Sequence, residues 1–247
     1  MNKDKEKERF KQKTLEIANN ENNISGIHNY CDRWCKRCPL TSRCSVFQME
    51  KEIGWDSRNS DLQNERFWDN LSMIFQATFE LIEETAHEMD SDLNNIEPDR
   101  KIVRPAKTET LAIEYGTQAI GWLHGNNKFL VQKAQAMAVN SEQHLLSLKD
   151  AVEIIQWYSL FIAAKIHRAF FSTQFDEESE TNDINGSAKI ALIAVGHSLE
   201  AFGFLYLQMK EKEDDLLRFM ATLSKIRNQV LAAFPQAMEF KRPGFDD

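Results

Sequence analysis

Between residues 65 and 240 apolar side chains return every three or four positions, and no window alternates apolar and polar as a half-buried strand would. That period commits most of the chain to amphipathic helices. It is clearest over residues 65–90, where Phe67, Leu71, Ile74, Phe75, Thr78, Ile82, Thr85 and Met89 form one apolar face. The polar stretch 91–106, with Pro98 and Pro105, ends this helix, and a second is expected over 107–124, stopped by Gly125-Asn126-Asn127. A shorter helix over 128–138 precedes a long one from Ser141, the expected cap, to about residue 172. After the acidic run 176–183, two more are expected over 184–211 and 214–240. A turn is expected at 57–64.

With only 9 Gly and 5 Pro in 247 residues, and 42% hydrophobic content to fill a core, the expected fold class is all-α. Helices joined by short polar turns bury their stripes most simply as an antiparallel bundle, here of about five long helices behind an N-terminal four-cysteine metal-binding segment. The expected division is a charged segment at 1–25, the cysteine-rich segment at 26–60 and the bundle at 61–247. Ala188, Ala191, Ala194, Gly196 and Gly203 would let one helix approach its neighbours closely, which makes it the central one. The same window is interrupted by Lys189, His197 and Glu200, each costly in lipid, so a buried helix is expected there and no membrane partner.

All four cysteines fall between residues 31 and 44, spaced C-x3-C-x2-C-x5-C as Cys31, Cys35, Cys38 and Cys44. The N-terminus, MNKDKEKERFKQK, lacks the apolar stretch of a secretion signal, so a cytoplasmic, reducing location is expected and the thiols are read as metal ligands and not as disulfides. Four thiolates suit either a [4Fe-4S] cluster or zinc. A compact string beside a proline favours the cluster, with zinc as the alternative. His28 is a possible substitute ligand. Arg33, Lys36, Arg37 and Arg43 would offset the thiolate charge, and together with Trp34 they form a candidate patch for nucleic acid or a partner. A net charge of -8 disfavours nucleic acid, so a protein partner is the first expectation.

The run Cys35-x-x-Cys38-Pro39-Leu40-x-x-x-Cys44 resembles the second half of the iron–sulfur loop in the endonuclease III and adenine-glycosylase family. The resemblance covers residues 31–44 and implies that the four cysteines are cluster ligands with the intervening basic residues facing DNA phosphate. Its first spacing is three residues where the family has six, the loop stands at the front of the chain, and no helix-hairpin-helix follows. Glycosylase activity is therefore not implied.

Elsewhere, Glu84-x-x-His87 invites a di-iron reading, but Glu80, Glu84 and His87 point roughly 170° away from the apolar stripe of their helix, at about 100° per residue, and are expected on a solvated face. Glu114 is likewise expected at the surface. Glu153, His197, Glu200 and Arg227 fall on apolar faces and form the expected buried polar cluster, with a Glu200–Arg227 bridge inside it. No phosphate loop, dinucleotide fingerprint or nucleophile elbow is present. The expected function is that of a metal-binding helical protein with a redox, sensing or protein-interaction role. The alternatives are a nucleic-acid-associated protein using the basic cysteine loop, or an enzyme with its site at the buried cluster.

Overall fold

Runs of Lys and Glu with no β-branched cluster open the chain as a helix, α1 (Lys3–Ala18), whose first turn carries Asp4 and Glu6 where the helix dipole favours negative charge. The computed structural model describes residues 3–53, 65–89, 106–140, 142–172 and 180–246, which hold eight α-helices and no strand. The expected turn at 57–64, the connection at 91–105, the cap at Ser141 and the first half of the acidic run lie outside the described residues. The chain divides into two compact units, Met1–His28 with Arg33–Ile102, and Asn29–Asp32 with Val103–Asp247.

The first unit contains α1, α2 (Ser45–Ile53) and α3 (Glu65–Glu88). α3 meets α1 on the side of its fully buried Ala77, and there Lys7 donates to Glu80 while Lys11 donates to Glu80 and Glu84. Glu80 and Glu84 thus pair with a neighbouring helix across the face expected to be solvated, although Glu84 stays 57% exposed and His87 is exposed as expected. Hydrogen bonds from Lys7 and Lys11 hold the Glu80 carboxyl below its usual range, and donating to the Glu84 and Glu80 carboxylates raises Lys11. The reason lies in α1, which offers ammonium groups and few large apolar side chains, so that the acidic, alanine-bearing side of α3 complements it. On the apolar side of α3, Phe75, Phe79 and Ile82 are exposed, whereas Phe67, Leu71 and Ile74 are half-buried and Ala86 is buried.

The second unit contains α4 (Lys107–Gly125), α5 (Asn127–Asn140), α6 (Glu142–Ser172), α7 (Glu180–Gln208) and α8 (Glu213–Ala233). α7 packs on both α6 and α8, and α6 also on α4 and α5. Paired residues run in opposite order, Glu109 with His167 and Gly116 with Ser159 on α4 and α6, Arg168 with Asp183 and Tyr158 with His197 on α6 and α7, so these neighbours are antiparallel. The core is built from Ile155, Ile162 and Ile166 of α6, Ile190, Val195, Phe202 and Leu205 of α7, and Leu216, Phe219, Leu223 and Ile226 of α8. Phe202 stacks on Phe219 at 5.0 Å, and Tyr115 meets both rings edge-on. Burial drives the Tyr115 hydroxyl far above its ordinary range, an effect that Ser198 beside it partly offsets.

Ala188, Ala191 and Ala194 are fully buried and α7 is central, as expected. Gly196 and Gly203 play no part in that, since nothing lies within 4 Å of a Cβ built on either. The segment Asp183–Gln208 is long and apolar enough to cross a membrane, with a mean hydropathy of 1.7, and 50% of that window is buried inside the protein. α8 ends at Ala233 and not at residue 240, because Phe234 precedes Pro235 and leaves the helical region, φ −130 and ψ 71. The following chain returns to α7, where the nearly buried Lys189 donates to the Phe240 carbonyl at 2.6 Å and pairs with Asp246 at 2.7 Å. Arg242 grips the same Asp246 carboxylate through Nε and a terminal nitrogen. Those Arg242 hydrogen bonds, helped by Lys189, hold the Asp246 carboxyl far below the usual range.

Candidate metal centre

No α-helix or strand forms between residues 19 and 44, so the backbone groups of this stretch are satisfied by turns. Its two ends are tied together. The Ile24 amide donates to the Arg43 carbonyl at 2.9 Å, Arg43 Nε donates to the Asn22 carbonyl at 3.1 Å, and the Gln48 side chain donates to Asn23 and to the Ser42 carbonyl. Ile27 and Trp34 are buried within the stretch, and Arg33 takes a left-handed backbone, φ 59.

Two short 3-10 turns follow, and each delivers a cysteine. The turn Cys35–Arg37 closes with the Cys38 amide on the Cys35 carbonyl, and the turn Thr41–Arg43 closes with the Cys44 amide on the Thr41 carbonyl. Pro39 keeps Cys38 before it extended, φ −83 and ψ 124, and the Leu40 amide donates to Cys38 Sγ at 3.4 Å. An amide aimed at sulfur stabilises negative charge on it, the hydrogen bonding that tunes metal-bound thiolates. Cys44 leads directly into α2, accepting the Gln48 amide on its carbonyl.

All four cysteines are half-exposed and none is in a disulfide. Among the described residues no group of three or more His, Cys, Asp and Glu side chains converges as a metal site would. The expected ligands are thus brought to one segment without being gathered on one point.

The basic residues of the loop are engaged unequally. Arg33 pairs with Glu50 at 2.6 Å, and Arg37 lies 3.8 Å over the Trp34 ring. Trp34 is only 8% exposed and offers no open face on which a base could stack, which corrects its place in the expected patch. Lys36 and Arg43 are exposed.

The expected buried polar cluster is overturned. His197 and Glu200 are 48% and 81% exposed and pair with each other at 3.6 Å, and Glu153 and Arg227 are also exposed. The buried line of α8 runs Leu216, Phe219, Leu223, Ile226 and Val230, which turns Arg227 outward and rules out a buried bridge to Glu200. On α7 the two polar residues lie opposite the line of Ala191, Val195, Phe202 and Leu205.

Sequence reasoning missed the residues that hold the stretch Asn29–Asp32, which carries Cys31. Within the second unit, Lys165 donates to the Asn29 carbonyl at 2.8 Å, Tyr158 donates to the Asp32 carboxylate at 2.7 Å, and Trp157 Nε1 donates to the Asp32 carbonyl at 3.0 Å. The Tyr30 ring packs on Phe240 at 4.7 Å and occupies the space that a Cβ on Gly186 would fill. Burial, with Asp183 nearby, raises the Tyr30 hydroxyl. No local pattern links positions more than a hundred residues apart. The buried Glu109, bonded to His167 Nδ1 at 2.9 Å, was equally silent, whereas Lys189 betrayed itself as a lone cation in an apolar run.

Fold and segment together define an all-α protein with a four-cysteine turn segment. No protein-family model matches the chain, and neither the curated proteins nor the solved structures hold a match to it.

Proposed function

We propose that Cys31, Cys35, Cys38 and Cys44 hold one metal centre, a [4Fe-4S] cluster in preference to zinc, in a cytoplasmic protein with a redox, sensing or protein-interaction role. The observation that carries this reading is the paired construction of Cys38 and Cys44, each released by a 3-10 turn, with an amide already directed at the Cys38 sulfur. A segment held by turns is free to close when an ion draws its thiolates together, and metal binding then contributes directly to folding. Lys36, Arg37 and Arg43 supply positive charge along the same segment. A bound cluster would supply a one-electron site whose potential follows solvent exposure and hydrogen bonds to sulfur.

The test is purification without oxygen, with iron, zinc and acid-labile sulfide measured per chain beside the visible spectrum. A sulfide-containing, coloured protein supports the cluster, one colourless zinc per chain supports the alternative, and neither metal overturns the reading. Cys38→Ser is expected to lose the metal and to loosen the segment around it. A variant that keeps full metal content would remove Cys38 from the ligand set.

A further inference from the structure

Cys35 and Cys38 stand at the two ends of one 3-10 turn, closed by the Cys38 amide on the Cys35 carbonyl at 3.3 Å. Three steps along such a turn, at about 2.0 Å rise each, set the two Cα atoms about 6 Å apart, inside the roughly 4.4–6.8 Å that a disulfide spans. Side chains three residues apart on a 3-10 turn also stand on the same side. Cys38 leaves the turn through its ψ of 124, which redirects only the chain beyond it, while its φ of −83 keeps the Cβ near the direction the turn gives it. The neighbouring pairs lack this setting. From Cys31 to Cys35 the chain passes through the left-handed Arg33, φ 59, and from Cys38 to Cys44 it passes through Pro39 and a second turn. Cys35 and Cys38 are both half-exposed, within reach of a small molecule.

The charge around the turn selects the reagent. Lys36 and Arg37 lie between the two cysteines and Arg43 lies beyond them, all three exposed, whereas Arg33 is offset by Glu50. A locally cationic surface draws in an anionic molecule. We infer that Cys35 and Cys38 form a dithiol–disulfide couple, oxidised by a small disulfide that carries carboxylates, for which glutathione disulfide is the probe. One cysteine sulfur attacks the reagent, forms a mixed disulfide and releases one small thiol. The other sulfur attacks that mixed disulfide, closes the Cys35–Cys38 bond and releases the second small thiol. Both cysteines are oxidised, the S–S bond of the reagent is reduced, and the two thiol protons of the protein leave on the small thiols. A transient disulfide of this kind is compatible with a reducing compartment. Resting on the metal reading above, the couple also regulates that centre, because a Cys35–Cys38 bond removes two of its four thiolates and bound metal in turn shields the pair.

Trypsin cuts after Arg33, Lys36, Arg37 and Arg43, which puts each of the four cysteines on its own peptide and makes the pairing readable. The full-length chain, freed of metal and reduced, would be treated with glutathione disulfide, its remaining thiols alkylated and its tryptic peptides weighed by mass spectrometry. Peptide 34–36 joined to peptide 38–43 is the expected product. Cys35→Ser should abolish it and leave glutathione on Cys38, while Cys31→Ser with Cys44→Ser should form it to the same extent as the parent. Glutathione left on single cysteines of the parent, links scattered among all four, or loss of the link in the double variant overturns the proposal. The same treatment of the chain as purified separates the couple from the metal reading. A link that forms as metal is lost supports the regulation, and a linked chain that keeps its metal overturns it. A chain that carries no metal yet forms the link upholds the couple while the metal reading falls, and a chain that carries metal but forms no link once stripped does the reverse.

Discussion

At the scale of single residues, two glycines on the same helix make opposite predictions. A Cβ on Gly116 would lie 2.2 Å from the Ser159 carbonyl oxygen, which is backbone and has nowhere to retreat, whereas nothing lies within 4 Å of one on Gly121. Gly116→Ala should therefore lower stability by about 1–3 kcal/mol through overpacking, although alanine is the better helix former. Gly121→Ala should gain up to about 1 kcal/mol from that propensity alone. Thermal melts of the two variants side by side check this. The difference was illegible in the sequence because both positions read as helical glycine. Only the approach of α6 separates them. The cysteines are the converse case, since their spacing is plain in the sequence while the geometry that aims the Leu40 amide at Cys38 came from the fold.

At the scale of elements, the chain after α8 is held to α7 by a small ionic group. Asp246 accepts from Arg242 and pairs with Lys189, and its carboxyl is held well below the ordinary value of about 3.9. Because the folded-state value is the lower one, the stabilisation is fully present above the unfolded value and is lost as the pH falls through about 4 and below. Asp246→Asn should accordingly flatten the acid limb of the stability curve, losing stability at neutral pH while changing less than the parent between about pH 6 and pH 3. Urea midpoints measured across that range decide it, and parallel acid limbs would sink the assignment. Element existence and approximate length were legible throughout α3 to α8, because hydrophobic period is a local property. Orientation was not. The apolar face of α3 was drawn correctly and was expected to lie opposite solvated carboxylates, yet it is the carboxylates that meet α1.

At the scale of the whole molecule, the two units differ in what holds them. The buried apolar side chains of the first are Phe10, Ile17, Ile27, Trp34, Ala77 and Ala86 among the described residues, supplemented by lysine–glutamate pairs of the kind that contribute little individually. The second has a continuous aromatic and aliphatic core from α4 to α8. Hydrogen exchange read by mass spectrometry should show α1 and α3 opening at lower free energy than α6 and α7. Reconstitution with metal should raise protection over residues 35–44 if the thiolates take a common ion. Uniform protection across both units would contradict the first expectation, and metal-independent exchange over 35–44 the second.

The sequence by itself determined the all-α class, the positions of the long helices, the centrality of α7 and the gathering of every cysteine into fourteen residues, because each of these is written in periodicity, composition or local spacing. Tertiary structure alone decided which face of each helix is covered. It turned His197, Glu200 and Arg227 outward, brought Lys189 to Asp246, and tied Asn29 and Asp32 to Lys165 and Tyr158. A helical wheel ranks residues by direction, but a direction becomes inside or outside only when a neighbouring helix occupies it.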